Sequence, residues 1–323
     1  MEKQITHIYD KVLKKGLTLS KAATINFLNG CFDEHFPLDS SVTYNWTEHI
    51  DDELKKTIAD GIITVNGEKS YHVEGQIAED EEMQFRVFDY GYRYALTNKD
   101  GCEVLHFPEP VIIYLYKYGR TPDVQKILLD FGTQGTFEYK VNTFKLLEHD
   151  LGELNRRKML VLLPFMLLKF REEFEKERTE ENMNALQNYI LNDILGVVRE
   201  NVGAGNLTVA DAERLRNLIA ILYRHLYAGY EECQKEGIND MVEEGLVLEM
   251  DIIEYEHKKE MAKQAEQVRQ EVTKEVTKEV TKDVQGNLIW NAYETLQDVG
   301  KVASLLKLPE GDVLAALKDR EEY

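Results

Sequence analysis

Three polar side chains interrupt a stretch that otherwise reads as sheet. They are Asp60, Glu74 and Gln76, within IADGIITVNGEKSYHVEGQIAE, residues 58–79. Two carboxylates can hold a hard divalent cation through oxygen, and an amide beside them can orient a water or a phosphate oxygen. Glu74 and Gln76 are two apart, so on a strand they leave the same face. Asp60 belongs to the preceding strand. An acid on one strand, with an acid and a long polar side chain on the next, is an arrangement suited to metal-assisted hydrolysis. The plainer reading of the same residues is a polar strand edge and a solvated face.

The elements that must position them are two strands and a tight turn. Ile58–Val65 is rich in β-branched residues, Lys69–Ala78 alternates, and Asn66-Gly67 between them tolerates the positive φ of a hairpin turn. A two-residue turn would pair Val65 with Glu68 and set Asp60 opposite Val73, on the other face from Glu74. The site therefore requires a one-residue slip. A three-residue loop with a bulge at Gly67, or an irregularity at Gly61, could supply it. With the slip, the carboxyl groups of Asp60 and Glu74 are expected roughly 3–6 Å apart, given oxygen–metal distances near 2.1 Å. Gln76 is expected to point into the same open cleft.

Bulk composition narrows the function classes. The chain has 323 residues, 43% hydrophobic and 30% charged, enough for about two domains. Cys31, Cys102 and Cys233 are far apart and odd in number, so neither a disulfide framework nor a zinc site is expected. The amino terminus is charged and lacks a signal peptide's apolar centre. The most apolar run, Met159–Phe170, is too short for a bilayer and contains Pro164. A cytoplasmic protein with no membrane partner is expected. The formal net charge is −20, which disfavours broad affinity for nucleic acid, since that affinity comes from neutralising phosphates.

Residues 5–15 place Ile5, Ile8, Val12 and Leu13 at helical spacing, with His7, Asp10 and Lys14 on neighbouring turns. Leu19–Cys31 predicts a second helix capped by Ser20 and ending near Gly30. Val42–Trp46 predicts a strand, followed by the acidic connection Asp51-Asp52-Glu53. Met83–Leu96 predicts a helix with a Phe85, Phe88, Tyr92, Ala95 stripe. Val111–Tyr116 predicts a buried strand, and Ile127–Phe131 with Gly135–Val141 another hairpin. The order helix, three strands, helix, strand predicts an α/β fold: a mixed sheet with helices flanking it.

From about Asp150 the pattern is all helical. Glu153–Arg178 predicts one or two long helices kinked at Pro164. Thr179–Val202 and Thr208–Lys235 predict further ones, with Thr208 and Asp211 as start residues. In EVTKEVTKEVTKDV the repeat has period four, which drifts about 40° per repeat around a helix, so its Val stripe cannot hold one face. A solvated, partly helical spacer is expected there. The tail KVASLLKLPEGDVLAAL predicts two short helices broken at Leu308-Pro309. Its spacing resembles a helix-turn-helix, yet the second helix is acidic and suits a packing or dimerisation unit better. The expected divisions are residues 1–148, 149–255, 256–287 and 288–323.

Together these residues resemble the PD-(D/E)xK nuclease superfamily, whose core order is α-β-β-β-α-β. The closer likeness is to its recombination-promoting nuclease group, also described as "PD-(D/E)xK nuclease family transposase". The pattern His7, Asp10, Lys11, the ADGIITVNG hairpin, the E-G-Q strand and the helix FRVFDYGYRYA carry the likeness. It implies a restriction-endonuclease-like fold and a Mg2+-dependent (or Mn2+-dependent) DNA endonuclease tied to mobile elements, recombination or defence. Asp60 and Glu74 carry over as metal ligands, Gln76 and Asp10 as further catalytic residues. Lys11, Lys14 and Arg86 are the candidate phosphate contacts. Gln76 stands where the superfamily has Lys, which removes a positive charge near the scissile phosphate. Ala59 stands where it has Pro. DNA is the implied partner, with self-association through the C-terminal helices. The rival expectation is a non-catalytic interaction module that keeps the nuclease fold.

Overall fold

A computed structural model describes the backbone of residues 2–45, 48–50, 56–58, 61–99, 101 and 104–321, and the side chains of residues 8–45, 61–99, 101 and 104–319. The chain divides into two compact units, residues 1–257 and 258–323.

The first unit is mixed α/β. Helix α1 (Glu2–Leu17) buries Tyr9, Val12, Leu13 and Leu17, residues three to four apart on one face. Helix α2 (Lys21–Phe32) starts where the Ser20 side chain accepts from the Ala23 N–H. It ends two residues beyond the expected stop, where Asp33 takes a left-handed φ of 57°. Strand β1 (Val42–Asn45) follows, then a ribbon of β2 (Glu48–Ile50) with β3 (Lys56–Ile58) that the sequence reading did not separate. Strands β4 (Gly61–Val65) and β5 (Lys69–Gln76) form the hairpin. Helix α3 (Met83–Thr97) crosses to β6 (Glu109–Tyr114), which lies parallel to β5. A parallel neighbour needs such a crossover. The hairpin β7 (Val124–Asp130) and β8 (Thr136–Lys145) completes a six-stranded sheet in the order β1-β4-β5-β6-β8-β7.

The central strands are covered on both faces. Ile63, Val65, Tyr71, Val73, Val111 and Ile113 join α1 and α2 in one large apolar core. On the other face Ile112, Tyr114 and Val141 meet Met83 and Val87 of α3. The expected stripe on α3 is corrected here. Phe85 and Tyr92 are 54% and 41% exposed, and the buried line is Met83, Val87, Tyr90 and Tyr94. Both lines have helical spacing, and an aromatic-rich helix offers more than one apolar face. The stripe's Phe88 instead packs on Phe107 and Tyr139.

The helical block shares the large core. Asp150 caps α4 (Leu151–Arg156). The expected long helix over Glu153–Arg178 is instead broken: Lys158 sits at φ 57°, Leu160–Phe170 is a 3-10 segment, and only Arg171–Lys176 (α5) returns to α geometry. Pro164 lacks the N–H an α-helix needs, and its ring meets the preceding turn. Leu160 to Leu168 are all buried, because α1, α2, α4, α5 and α8 surround the segment. Helices α6 (Glu180–Asn188) and α7 (Leu195–Gly203) are joined by a π-helical turn, and α8 (Val209–Leu226) begins at a capping box of Thr208 and Asp211. The short α9 (Glu231–Lys235) precedes α10 (Ile238–Leu296).

The repeat lies within α10 and is fully helical rather than partly so, with Val272, Val276, Val280 and Val284 all exposed. In the second unit, Ile289 packs with Val302 and Ala303 of α11 (Val299–Leu306) and Val313 and Leu317 of α12 (Glu310–Glu321). The break at Leu308-Pro309 is where the sequence places it. Among the described residues no helix is long and apolar enough to cross a membrane.

Candidate functional site

The hairpin turn contains the slip that the site requires. Val65 pairs with Lys69 and Gly61 with Val73, so the loop has three residues, Asn66, Gly67 and Glu68. Asn66 and Gly67 take φ of 54° and 70°, and the Glu68 N–H donates to the Val65 carbonyl at 3.0 Å. Only residues that accept left-handed backbone build this turn, which is why Asn-Gly sets the register. Asp60, the first expected ligand, lies outside the described residues, as do Ala59 and the Asp51-Asp52-Glu53 connection.

Strand β5 presents two chemically different faces. Tyr71 and Val73 enter the apolar core, while Ser70, His72, Glu74 and Gln76 face α3. Helix α3 runs back along this row. Its Met83 sulfur lies 3.8 Å from the Gln76 Nε2, the Tyr90 ring is 5.9 Å from that of His72, and the Tyr94 hydroxyl is 2.9 Å from Ser70 Oγ. Thr64 Oγ1 joins both hydroxyls, at 2.9 Å from Ser70 and 3.0 Å from Tyr94, and accepts from Asn45 Nδ2 at 3.3 Å. On the other side Gln76 neighbours Tyr114 of β6, whose hydroxyl accepts from Gln125 Nε2 at 3.0 Å. The Tyr114 phenol pKa is raised, chiefly by burial, and the bond from Gln125 only partly offsets this.

The centre of the row is a carboxylate beside an imidazole. His72 Nε2 is 3.5 Å from Glu74 Oε1, with His72 fully buried and Glu74 4% exposed. Removing a carboxylate from water costs several kcal/mol before compensation, which is a large cost for a side chain that contributes little apolar packing. Among the described residues the row is a buried polar seam between sheet and helix, half-exposed at Gln76. His72 was not among the residues expected. Its signal was the alternation Ser70, His72, Glu74, Gln76, which puts it on the Glu74 face as directly as Gln76.

The remaining candidates are dispersed. Asp10 is half-buried on α1, whose buried residues Tyr9, Val12 and Leu13 belong to the core on the sheet's other face. Lys11 is exposed and Lys14 half-buried on the same helix, and the side chain of His7 lies outside the described residues. Arg86 pairs with Asp80. Glu79, Asp80, Glu81 and Glu82 follow β5 after Ile77 and Ala78, and Asp80 and Glu79 lie near enough to Tyr114 to raise its pKa. Among the described residues no group of three or more His, Cys, Asp or Glu could hold a metal ion. Glu74 supplies one carboxylate, and Asp60 would supply the second of the one or two through which Mg2+ is usually bound, with waters and substrate phosphate completing its shell.

No family model, curated protein or solved structure gives a significant match to this chain.

Proposed function

We propose that this chain is a metal-dependent DNA endonuclease with a restriction-endonuclease-like core, acting with mobile elements, recombination or defence. The observation that carries the reading is the β5 face: Glu74 and Gln76 share it with His72, at the hairpin register that a two-strand site requires. The order of three antiparallel strands, a crossover helix and a parallel strand agrees with it. In this reading Asp60 and Glu74 hold Mg2+ or Mn2+, which when bound polarises the phosphate and makes a water more acidic. Gln76 orients the water or a phosphate oxygen, and His72 fixes the Glu74 carboxylate. The tail helices contact DNA.

A second reading, a nuclease-fold interaction module without turnover, is favoured by three observations. Glu74 is 4% exposed, Arg86 is held by Asp80, and Glu79–Glu82 lies beside the seam. Supercoiled plasmid with Mg2+ or Mn2+ separates the two. The endonuclease reading expects nicking or linearisation by the wild type, reduced about a hundredfold or more in Asp60→Ala and Glu74→Ala, on the scale of losing one main electrostatic contributor. Folded wild-type protein that leaves plasmid intact with both metals gives the case to the interaction module.

A further inference from the structure

The sheet ends on β7, whose outer edge pairs with no other strand among the described residues. Strand β7 pairs with β8 along its whole length, Val124 to Asp130, in a ladder with no bulge and no proline. The ladder's phase follows from its ends: the Phe131 N–H donates to the Gly135 carbonyl and the Thr143 N–H to the Asp123 carbonyl. Odd-numbered residues of β7 therefore bond to β8. Val124, Lys126, Leu128 and Asp130 turn their N–H and C=O groups outward, because bonded and non-bonded positions alternate in an antiparallel pair. Their side chains share the sheet face away from Ile127, and Leu128 stands 69% exposed at the middle of the row.

Natural sheets shield such an edge with bulges, prolines or charged side chains. Here the outward row is Lys126, Leu128, Asp130, one charge of each sign placed symmetrically about a leucine. An antiparallel partner centred on Leu128 sets Leu128 against Leu128 and each Lys126 against the other copy's Asp130. Centring on Lys126 or on Asp130 would oppose like charges instead, which is destabilising in a cross-strand pair. The favoured centre also brings outward backbone groups face to face, for about six new backbone hydrogen bonds. Lys126 lies 3.2 Å from Glu138 on its inner side. In the pair it would be flanked by carboxylates on both sides. Asp130 uses Oδ1 to accept from the Gly132 N–H, and its second oxygen is available to the incoming lysine. One row thus supplies backbone phase, apolar contact and charge complementarity for a two-fold register centred on Leu128.

We infer that two copies of this chain associate edge to edge through β7, centred on Leu128, to make one continuous sheet. Light scattering of the full-length chain during size exclusion tests this directly. Leu128→Lys and Leu128→Glu each place like charges on the two-fold axis at an exposed position, so both should keep their circular dichroism and have half the wild-type mass. Mixed in equal amounts they should regain the wild-type mass, since Lys then faces Glu. If either variant keeps the wild-type mass, or if the mixture does not recover it, this edge is not the interface.

Discussion

The functional reading turns on what one strand face carries. Glu74 and Gln76 leave β5 together, with His72 beside them at 3.5 Å from the carboxylate. Glutamine at this position is neutral where a lysine would offset the charge that spreads over a phosphate in its transition state. Gln76 is only half-buried, so a lysine there can carry its ammonium to the seam's rim while its stem covers Met83. Gln76→Lys is therefore expected to raise kcat/KM for plasmid cleavage by about tenfold, or ~1.4 kcal/mol. An unchanged or lower value would mean that position 76 does not face the reacting phosphate.

The elements show how much of this could be read from residue order. The strand order, the crossover helix, the β7–β8 hairpin, the Ser20 and Thr208 caps and the tail's break at Pro309 are set by local chemistry: β-branched alternation, hydroxyl caps and proline. The features that escaped depend on tertiary surroundings. Which side of α3 is buried was decided by the sheet beneath it, since Met83–Val87–Tyr90 and Phe85–Phe88–Tyr92 are both apolar lines. The 3-10 path of Leu160–Phe170 comes from Pro164 inside a run surrounded by five helices. His72 is legible from its spacing alone, since alternation puts it on the Glu74 face. The hairpin turn is where local chemistry and site meet. Gly67→Ala puts a methyl group on a residue at φ 70° with nothing within 4 Å to clash with it. The expected cost is about 1 kcal/mol of stability from the backbone alone, read as a lower urea midpoint at unchanged slope. A neutral result would show that the loop can be rebuilt without positive φ.

At the scale of the whole chain, the two units hold separate apolar clusters. The core of the first runs from Tyr9 to Ile253, and Ile289, Val302 and Val313 centre the other. The valines of the repeat between those clusters are about half exposed and contribute little burial. A protein ending at Tyr255 retains Met250 and Ile253, and should melt within a few degrees of the full chain while keeping any metal-dependent cleavage. Precipitation or a melting point lower by ten degrees or more would place residues beyond 255 in the fold of the first unit. The truncated protein should also pair through β7, since that strand lies wholly within it.

The most direct measurement is Mn2+ binding by titration calorimetry on the full-length wild type, Asp60→Ala and Glu74→Ala, with folding of each checked by circular dichroism. One site per chain is expected in the wild type, with affinity reduced at least tenfold in both variants, because each removes one of the two carboxylates that hold the ion. Wild-type protein that binds no Mn2+, or binding that both variants retain at full strength, would contradict a metal centre on β5.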